Sequence, residues 1–209
     1  MKTLSICLFS LIIFQFSGCA TTAPTASVAP ITTVEALPAH KTQAELTVGA
    51  DPYYSRRQKS TFGQDMSQAG ILPILVYLQN NSAQPITVQP NYISLEFLDG
   101  QEVKPIAPLT ASEKWGLKAG RYVAAGAFYG VTGVIATKAA HEKAKANIRE
   151  EYQKKGLREV TLSKGESAQG FVYFYVPQGI QQATGANLIV PYLPAKGRGG
   201  EVRVPLGGM

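Results

Sequence analysis

The sequence predicts a mainly β protein, a two-sheet sandwich carrying an α-helical insertion. Three observations point there: short runs of β-branched and aromatic residues recur from Leu46 onward, turn-forming residues separate them, and one long interruption of helical texture divides them. Of 209 residues 20 are Gly and 13 are Pro, and only 16% are charged, which favours turn-rich β structure over a coiled coil or a charged disordered chain. That length holds one domain with attachments, at about 100–200 residues per domain. His40 and His141 are the only histidines and sit in unlike contexts, which argues against most enzymes.

Met1 and Lys2 form a short basic start, followed by an apolar run from Leu4 to Phe14 that fits a signal-peptide core and is too short for a membrane span. It ends in Phe16-Ser17-Gly18-Cys19. Small residues ahead of a Cys at this point resemble the lipobox of bacterial lipoproteins, with Phe16 where Leu is usual. The resemblance implies a signal peptide over 1–18 and a Cys19 that carries acyl chains such as palmitate. It also implies membrane attachment through that lipid, since two or three chains anchor stably where one does not. Ordinary secretory cleavage after Ala20 is the alternative. Ala20 stands where such lipoproteins carry Asp as an inner-membrane retention signal. The resemblance therefore implies the outer membrane, with the domain in the periplasm or on the cell surface. Cys7 leaves with the signal peptide, so the processed chain keeps no thiol pair for an intrachain disulfide.

From Ala20 to Glu45, 16 of 26 residues are Ala, Thr or Pro, with no apolar periodicity, so 19–45 is expected to be the lipidated Cys and a flexible tether. His40 lies there and is assigned no role. The sandwich is expected over 46–209. Ile71 to Gln79 is rich in strand formers and closes at Asn80, Asn81, Ser82 and Pro85, after which Ile86 to Gln89 resumes. Tyr92 to Leu98 alternates, with Ile93, Leu95 and Phe97 on one face, and Asp99-Gly100 supplies a tight turn. Beyond the interruption come Glu159 to Leu162, a turn over Ser163 to Ser167, Gly170 to Val176, Asn187 to Leu193 and Glu201 to Leu206. In the last, Val202, Val204 and Leu206 are expected to face inward. Pro73, Pro191 and Pro205 suggest edge strands, strand starts or bulges.

Short strands between turn signals suggest the immunoglobulin-like kind of sandwich. The stretches LPILVYLQNNSAQPITVQPNYISLEFLDGQ and LSKGESAQGFVYFYVP resemble immunoglobulin-like domains of uncharacterised bacterial lipoproteins. In those domains an N-x-S turn, a strand ending in Asp-Gly and a Gly-Glu-Ser turn leading into Gly-Phe-Val-x-Phe recur. The resemblance implies the fold and no function. Trp115 lies in the interruption and no Cys pair is present, so an antibody-type disulfide pin is excluded.

The insertion, at about 110–156, opens near Ser112 and Trp115. Tyr122 to Thr137 is uncharged and contains Gly126, Gly130 and Gly133, a small-residue spacing that lets helix backbones approach closely. Three readings stand open: a helix buried against the sandwich, a helix docking on a second copy or another envelope protein, and membrane insertion, for which the segment is short. Lys138 to Lys155 is an amphipathic helix by pattern, with Ala140, Ala144, Ile148 and Tyr152 as a stripe, Glu150 and Glu151 paired to Lys154 and Lys155, and Gly156 as a stop. Its solvated face places Lys143, Lys145 and Arg149 where they could touch anionic lipid or polysaccharide. Interleaved Glu142, Glu150 and Glu151 fit a plain solvent face better.

No thiol pair, H-E-x-x-H, G-x-S-x-G or phosphate-binding loop appears, and no cofactor or metal is expected. Tyr53-Tyr54-Ser55-Arg56-Arg57 and the pair Tyr173 and Tyr175 put aromatics beside basic groups, which could suit glycan stacking, although packing on a strand face accounts better for the latter pair. Nucleic acid is not an expected partner, because the net charge of +6 is diffuse and the chain carries an export signal. The expected role is a lipid-anchored, non-enzymatic structural or protein-interaction module of the cell envelope, docking on a partner or a second copy through its insertion. The alternative is a glycan- or small-ligand-binding lipoprotein with a groove at the sandwich edge.

Overall fold

Strand-forming residues concentrate in two segments, ILPILVYLQN over Ile71–Asn80 and SAQGFVYFY over Ser167–Tyr175, and these pair along their length. The structure is a computed structural model that describes residues 28–31, 33–43, 45–62, 65–111, 146, 149–176 and 179–207. Its strands are β1 (Ala39–Gln43), β2 (Leu46–Pro52), β3 (Ile71–Asn80), β4 (Ile86–Val88), β5 (Ser94–Glu96), β6 (Glu102–Val103), β7 (Pro105–Ile106), β8 (Val160–Leu162), β9 (Ser167–Tyr175), β10 (Asn187–Pro194) and β11 (Gly200–Pro205). One sheet has the order β1-β2-β3-β9-β7, and the other has β6-β5-β10-β4-β8 with β11 also on β10. Both are antiparallel and pack face to face. Within them β2-β3-β9-β7 and β5-β10-β11 reproduce the A-B-E-D and C-F-G orders of an immunoglobulin-type sandwich.

Alternation along the central strands explains why both faces of the first sheet are buried. Leu72, Ile74, Val76 and Leu78 of β3, with Val172 and Phe174 of β9, enter the inter-sheet core, where they meet Leu188 and Val190 of β10 and Val202, Val204 and Leu206. The residues between them, Ile71 and Leu75 of β3 and Phe171 and Tyr173 of β9, enter a second core on the outer face. A strand with both faces covered reads as a continuous apolar run, as β3 does.

The turns at one end of the sandwich converge on Asn80, which is fully buried. Its side-chain amide donates to the carbonyls of Gln84 at 2.7 Å and Leu162 at 2.8 Å, and its Oδ1 accepts from the Ser82 N–H at 2.8 Å. Its backbone receives the Gly165 N–H and donates to the Glu166 carbonyl. The Asn-x-Ser and Gly-Glu-Ser motifs of the sequence therefore meet in space as one polar joint.

Several expectations shift in detail. Residues 28–31 and 33–43, expected as tether, are part of the fold. Val34 and Leu37 are buried with Tyr77, Leu37 fills the space above Gly49, and β1 pairs with β2 from Ala39↔Ala50 to Gln43↔Leu46. Two apolar side chains and a run of backbone hydrogen bonds suffice to order the segment, and β1 itself shows no apolar alternation to betray it. Pro73 lies inside the central strand β3 rather than at an edge. Its carbonyl accepts from the Tyr53 N–H just past the end of β2, and a strand residue's N–H points to the same side as its C=O, so the missing donor breaks no ladder bond. Pro191 falls between the β5 ladder, which stops at Ile189, and the β4 ladder, which starts at Leu193. Pro205 ends an edge strand, as expected. The strand expected over Tyr92 to Leu98 is shorter, because Pro90–Tyr92 forms a 3-10 turn, and Ser94 is buried together with Ile93 and Leu95.

Two helical stretches, 108–111 and 149–155, flank the insertion. The Gly-rich segment with Gly126, Gly130 and Gly133 lies outside the described residues, as do Cys19, the signal peptide, Trp115 and His141. Among the described residues, no helix is long and apolar enough to cross a membrane.

Asn80→Ala removes the donor to the buried Leu162 carbonyl and the acceptor of the Ser82 N–H, while the Gln84 carbonyl keeps the Ser82 hydroxyl, so it should destabilise the fold by about 2–3 kcal/mol, checked by the urea midpoint. Gly170→Ala should also destabilise, by about 1–3 kcal/mol, since its Cβ would lie 2.6 Å from the backbone of Leu157. Its melting temperature would show this.

Candidate functional site

The outer face of the first sheet is where the insertion meets the domain. After β2 the chain turns into α1 (Ser55–Phe62), a polar helix with only Gln58 and Phe62 buried, four residues apart on one face. Gln58 has no exposed surface and all its groups are used: Nε2 donates to the carbonyls of Tyr53 at 2.7 Å and Ile71 at 3.2 Å, and Oε1 accepts from the Met66 N–H at 2.7 Å. This side chain sews α1 and the following loop to the start of β3. Beside it, Arg57 holds the buried carboxylate of Asp51 through two bonds, at 2.5 and 2.6 Å, and its guanidinium lies 3.9 Å above the Tyr53 ring centre. The hydrogen bond to Asp51 raises the pKa of Arg57. The pair fixes geometry and leaves little free charge.

The two ends of the insertion stand on an aromatic cluster. Ala111, in the helical turn that leads into it, and Tyr152, in the stretch that leads out, are both in the second core. Tyr152 stacks on Tyr173 at 5.4 Å and tilts against Phe62 at 5.3 Å, while Phe62 and Tyr53 each meet Phe171 edge-on at 4.9 Å. The Tyr152 hydroxyl donates to the Met66 sulfur, and the Tyr173 hydroxyl donates to the Tyr152 carbonyl at 3.3 Å. Burial pushes the Tyr152 hydroxyl well above the ordinary tyrosine pKa; Tyr173 rises through burial and then through its neighbour Tyr152. The helical stretch is tied down further by Lys155, which donates to the Thr61 carbonyl at 2.9 Å and pairs with Glu151 at 3.2 Å. The expected Glu150–Lys154 pair forms at 2.8 Å on the exposed side. Gly156 ends the helix and bridges to Phe171, and the Leu157 N–H donates to the Phe171 carbonyl at 2.9 Å.

The sequence-level candidates distribute unevenly over this surface. Tyr53 is only 8% exposed and Tyr173 only 1%, with their rings engaged as above, so neither offers a free face for stacking on a sugar. Gln58, Asp51 and Met66, which hold the platform together, carried no sequence signal apart from Asp51 standing two residues before the Tyr-Tyr pair. A cleft of about 320 Å³ runs between the helical stretch and the chain at Val28, floored by Leu75, Gly170 and Phe171 with Glu151 and Lys154 at its rim. A second, of about 370 Å³, lies at the sheet edge among Pro38, Asp51, Pro52, Tyr54 and Arg56. Among the described residues, no group of three His, Cys, Asp or Glu side chains is placed to hold a metal.

The fold and this face define an immunoglobulin-like β-sandwich with a platform for an insertion. No protein-family model matches the chain, and no curated protein does. Among solved structures it is similar to the yjhA protein of Bacillus subtilis, at 13% identity over 74% of this chain and 78% of that one, with a TM-score of 0.38. It is also similar to an ApaA protein from Bordetella pertussis, at 14% identity over 82% and 97% of the two chains and a TM-score of 0.35. Neither likeness bears on function.

The buried tyrosines make stability depend on alkaline pH. The folded state keeps the protons of Tyr152 and Tyr173 where the unfolded chain, titrating near 10, loses them, so stability is full below that value and falls as pH rises through it. Between about pH 9 and pH 11 the loss should reach about 1 kcal/mol per tyrosine. Urea midpoints across that range check this, and Tyr152→Phe should flatten the dependence.

Proposed function

We propose that this chain is an envelope lipoprotein, anchored through acylated Cys19, whose sandwich acts as a non-enzymatic protein-interaction module and presents its insertion to a partner. The observation that carries this reading is the way the insertion is mounted. Ala111 and Tyr152, at its two ends, are seated in one aromatic core on the outer face of the central sheet. A segment held at both feet by buried side chains is presented in a defined place, which lowers the ordering cost of binding. The small-residue spacing of Gly126, Gly130 and Gly133 supports close helix contact as the mode of docking, with a second copy or another envelope protein as the partner. The lipobox-like Phe16-Ser17-Gly18-Cys19 supports the anchor, and Ala20 supports the outer membrane.

Two measurements test the reading. Replacing Gly126 and Gly130 with Leu should abolish assembly or partner capture, seen by in-cell cross-linking, while the melting temperature stays unchanged; assembly that survives the change would refute docking through this segment. Cys19→Ser should move the protein from the membrane to the soluble fraction on cell fractionation, and continued membrane residence would refute the lipid anchor.

A further inference from the structure

We infer that the cleft at the edge of the first sheet, where β1 begins and β2 ends beside α1, binds a small carboxylate with an apolar body, held by Arg56 and the Tyr54 hydroxyl. This adds a ligand site to the module and stands apart from both the lipid anchor and the insertion.

Two groups without partners come together in this cleft of about 370 Å³. The first is a hydroxyl. The Tyr54 oxygen is shut off from water and, alone among the buried side-chain polar atoms of the described residues, has no hydrogen-bond partner. Buried polar groups are otherwise paired nearly without exception, and an unpaired one is costly. The second is a cation. Arg56 is exposed and no carboxylate pairs with it among the described residues, whereas its neighbour Arg57 is engaged by Asp51 through two bonds. Lack of a partner does not by itself mark Arg56, since Lys59, Arg158 and Arg198 are exposed and unpaired too. Its place distinguishes it: of these four cations it alone lines the cleft, and Tyr54 lines it as well.

The rest of the lining fits the body of such a ligand. Pro38, Ala39, Pro52 and the Tyr54 ring are apolar, and Tyr54 packs against the inter-sheet core. These walls are fixed before anything binds. β1 and β2 pair at Ala39↔Ala50, two of the lining residues are prolines, and the Tyr54 carbonyl accepts the Arg57 N–H at 2.9 Å and the Gln58 N–H at 3.0 Å. Charge selects an anion, because Asp51 and Arg57 neutralise each other and the positive charge of Arg56 is left over. At about 30 Å³ for each water-sized group, the cleft has room for roughly a dozen non-hydrogen atoms. The hydroxyl reaches the cleft by a turn of the ring, which breaks no hydrogen bond because it makes none. Side-chain adjustments of this kind are common on binding. A bound carboxylate then gives Arg56 a counter-charge and Tyr54 an acceptor, both through charge-assisted hydrogen bonds.

Arginine footprinting tests the site. The full chain is treated with phenylglyoxal, and modification rates are read by mass spectrometry at Arg56 and, as exposed references, at Arg158 and Arg198. The probe is phenylpropanoate, whose size matches the cleft. At about 10 mM it should slow Arg56 on the order of fivefold, as a millimolar ligand of this size does, and leave both references unchanged. The uncharged amide of the same acid, and acetate, which has the charge without the body, should each give less than about twofold protection. Tyr54→Phe separates a ligand contact from a structural one. It removes a hydroxyl that has no partner in the free protein, so it should raise the melting temperature by about 2–4 °C, yet cut the protection at Arg56 to below about twofold. Equal slowing at all three arginines, or protection by acetate or the amide as strong as by the acid, would overturn the site. So would a Tyr54→Phe chain that keeps full protection, or one that melts lower, which would show the hydroxyl already paired.

Discussion

The β3–β9 ladder is the constraint on which the rest of the molecule depends. Its partners run from Ile71↔Tyr175 to Gln79↔Ser167, and because successive side chains point to opposite faces, this one pairing populates two cores at once. Val76 and Phe174 serve the inter-sheet core, while Leu75 and Phe171 serve the outer one. A slip of one residue in register would exchange the two sets and leave neither core filled. The inter-sheet packing, the seating of α1 and the mounting of the insertion all refer to this register.

Polar side chains then fix what apolar packing leaves adjustable. Burying Asn80 and Gln58 without partners would be costly, yet each satisfies its amide with backbone groups, some in its own turn and others on a separate strand, Leu162 for Asn80 and Ile71 for Gln58. Asn80 locks the turns at one end of the ladder, and Gln58 locks the helix and loop at the other. Asp51 and Arg57 add a third fixture, in which the arginine is held by the carboxylate below it and the Tyr53 ring beside it. The platform carrying the insertion is thus rigid through directional contacts rather than through area alone.

The central strands and the β10–β11 hairpin were legible because their physics is periodic. Val202, Val204 and Leu206 are buried and Glu201 and Arg203 exposed, as alternation alone required. What escaped prediction lacks a period of its own. β1 has one buried residue in five and exists because β2 offers it a ladder. α1 buries a glutamine, a residue that hydropathy assigns to the surface, and only the three-dimensional supply of two carbonyls and one N–H makes it an interior residue. The same holds for Tyr53, which beside Arg56 and Arg57 suggested an exposed stacking surface, whereas the sequence does not show that Phe171 meets its ring edge-on. Tyr173 is buried on the strand face, the account favoured for it from sequence. The Asn-x-Ser and Gly-Glu-Ser motifs are visible as strings, and their meeting as one joint around Asn80 shows only where the turns come together.

The strap formed by residues 28–31 and 33–37 also sets how the molecule takes mechanical load. Tension entering through the N-terminal chain meets the Gln169 clamp first, then the Val34 and Leu37 contacts, and only afterwards the β1–β2 pairing. These are shallow contacts on the outside of the sheet, so they yield while the β3–β9 ladder stays intact. The segment would therefore peel away first, and load would reach the central ladder only after the strap and β1 had come off.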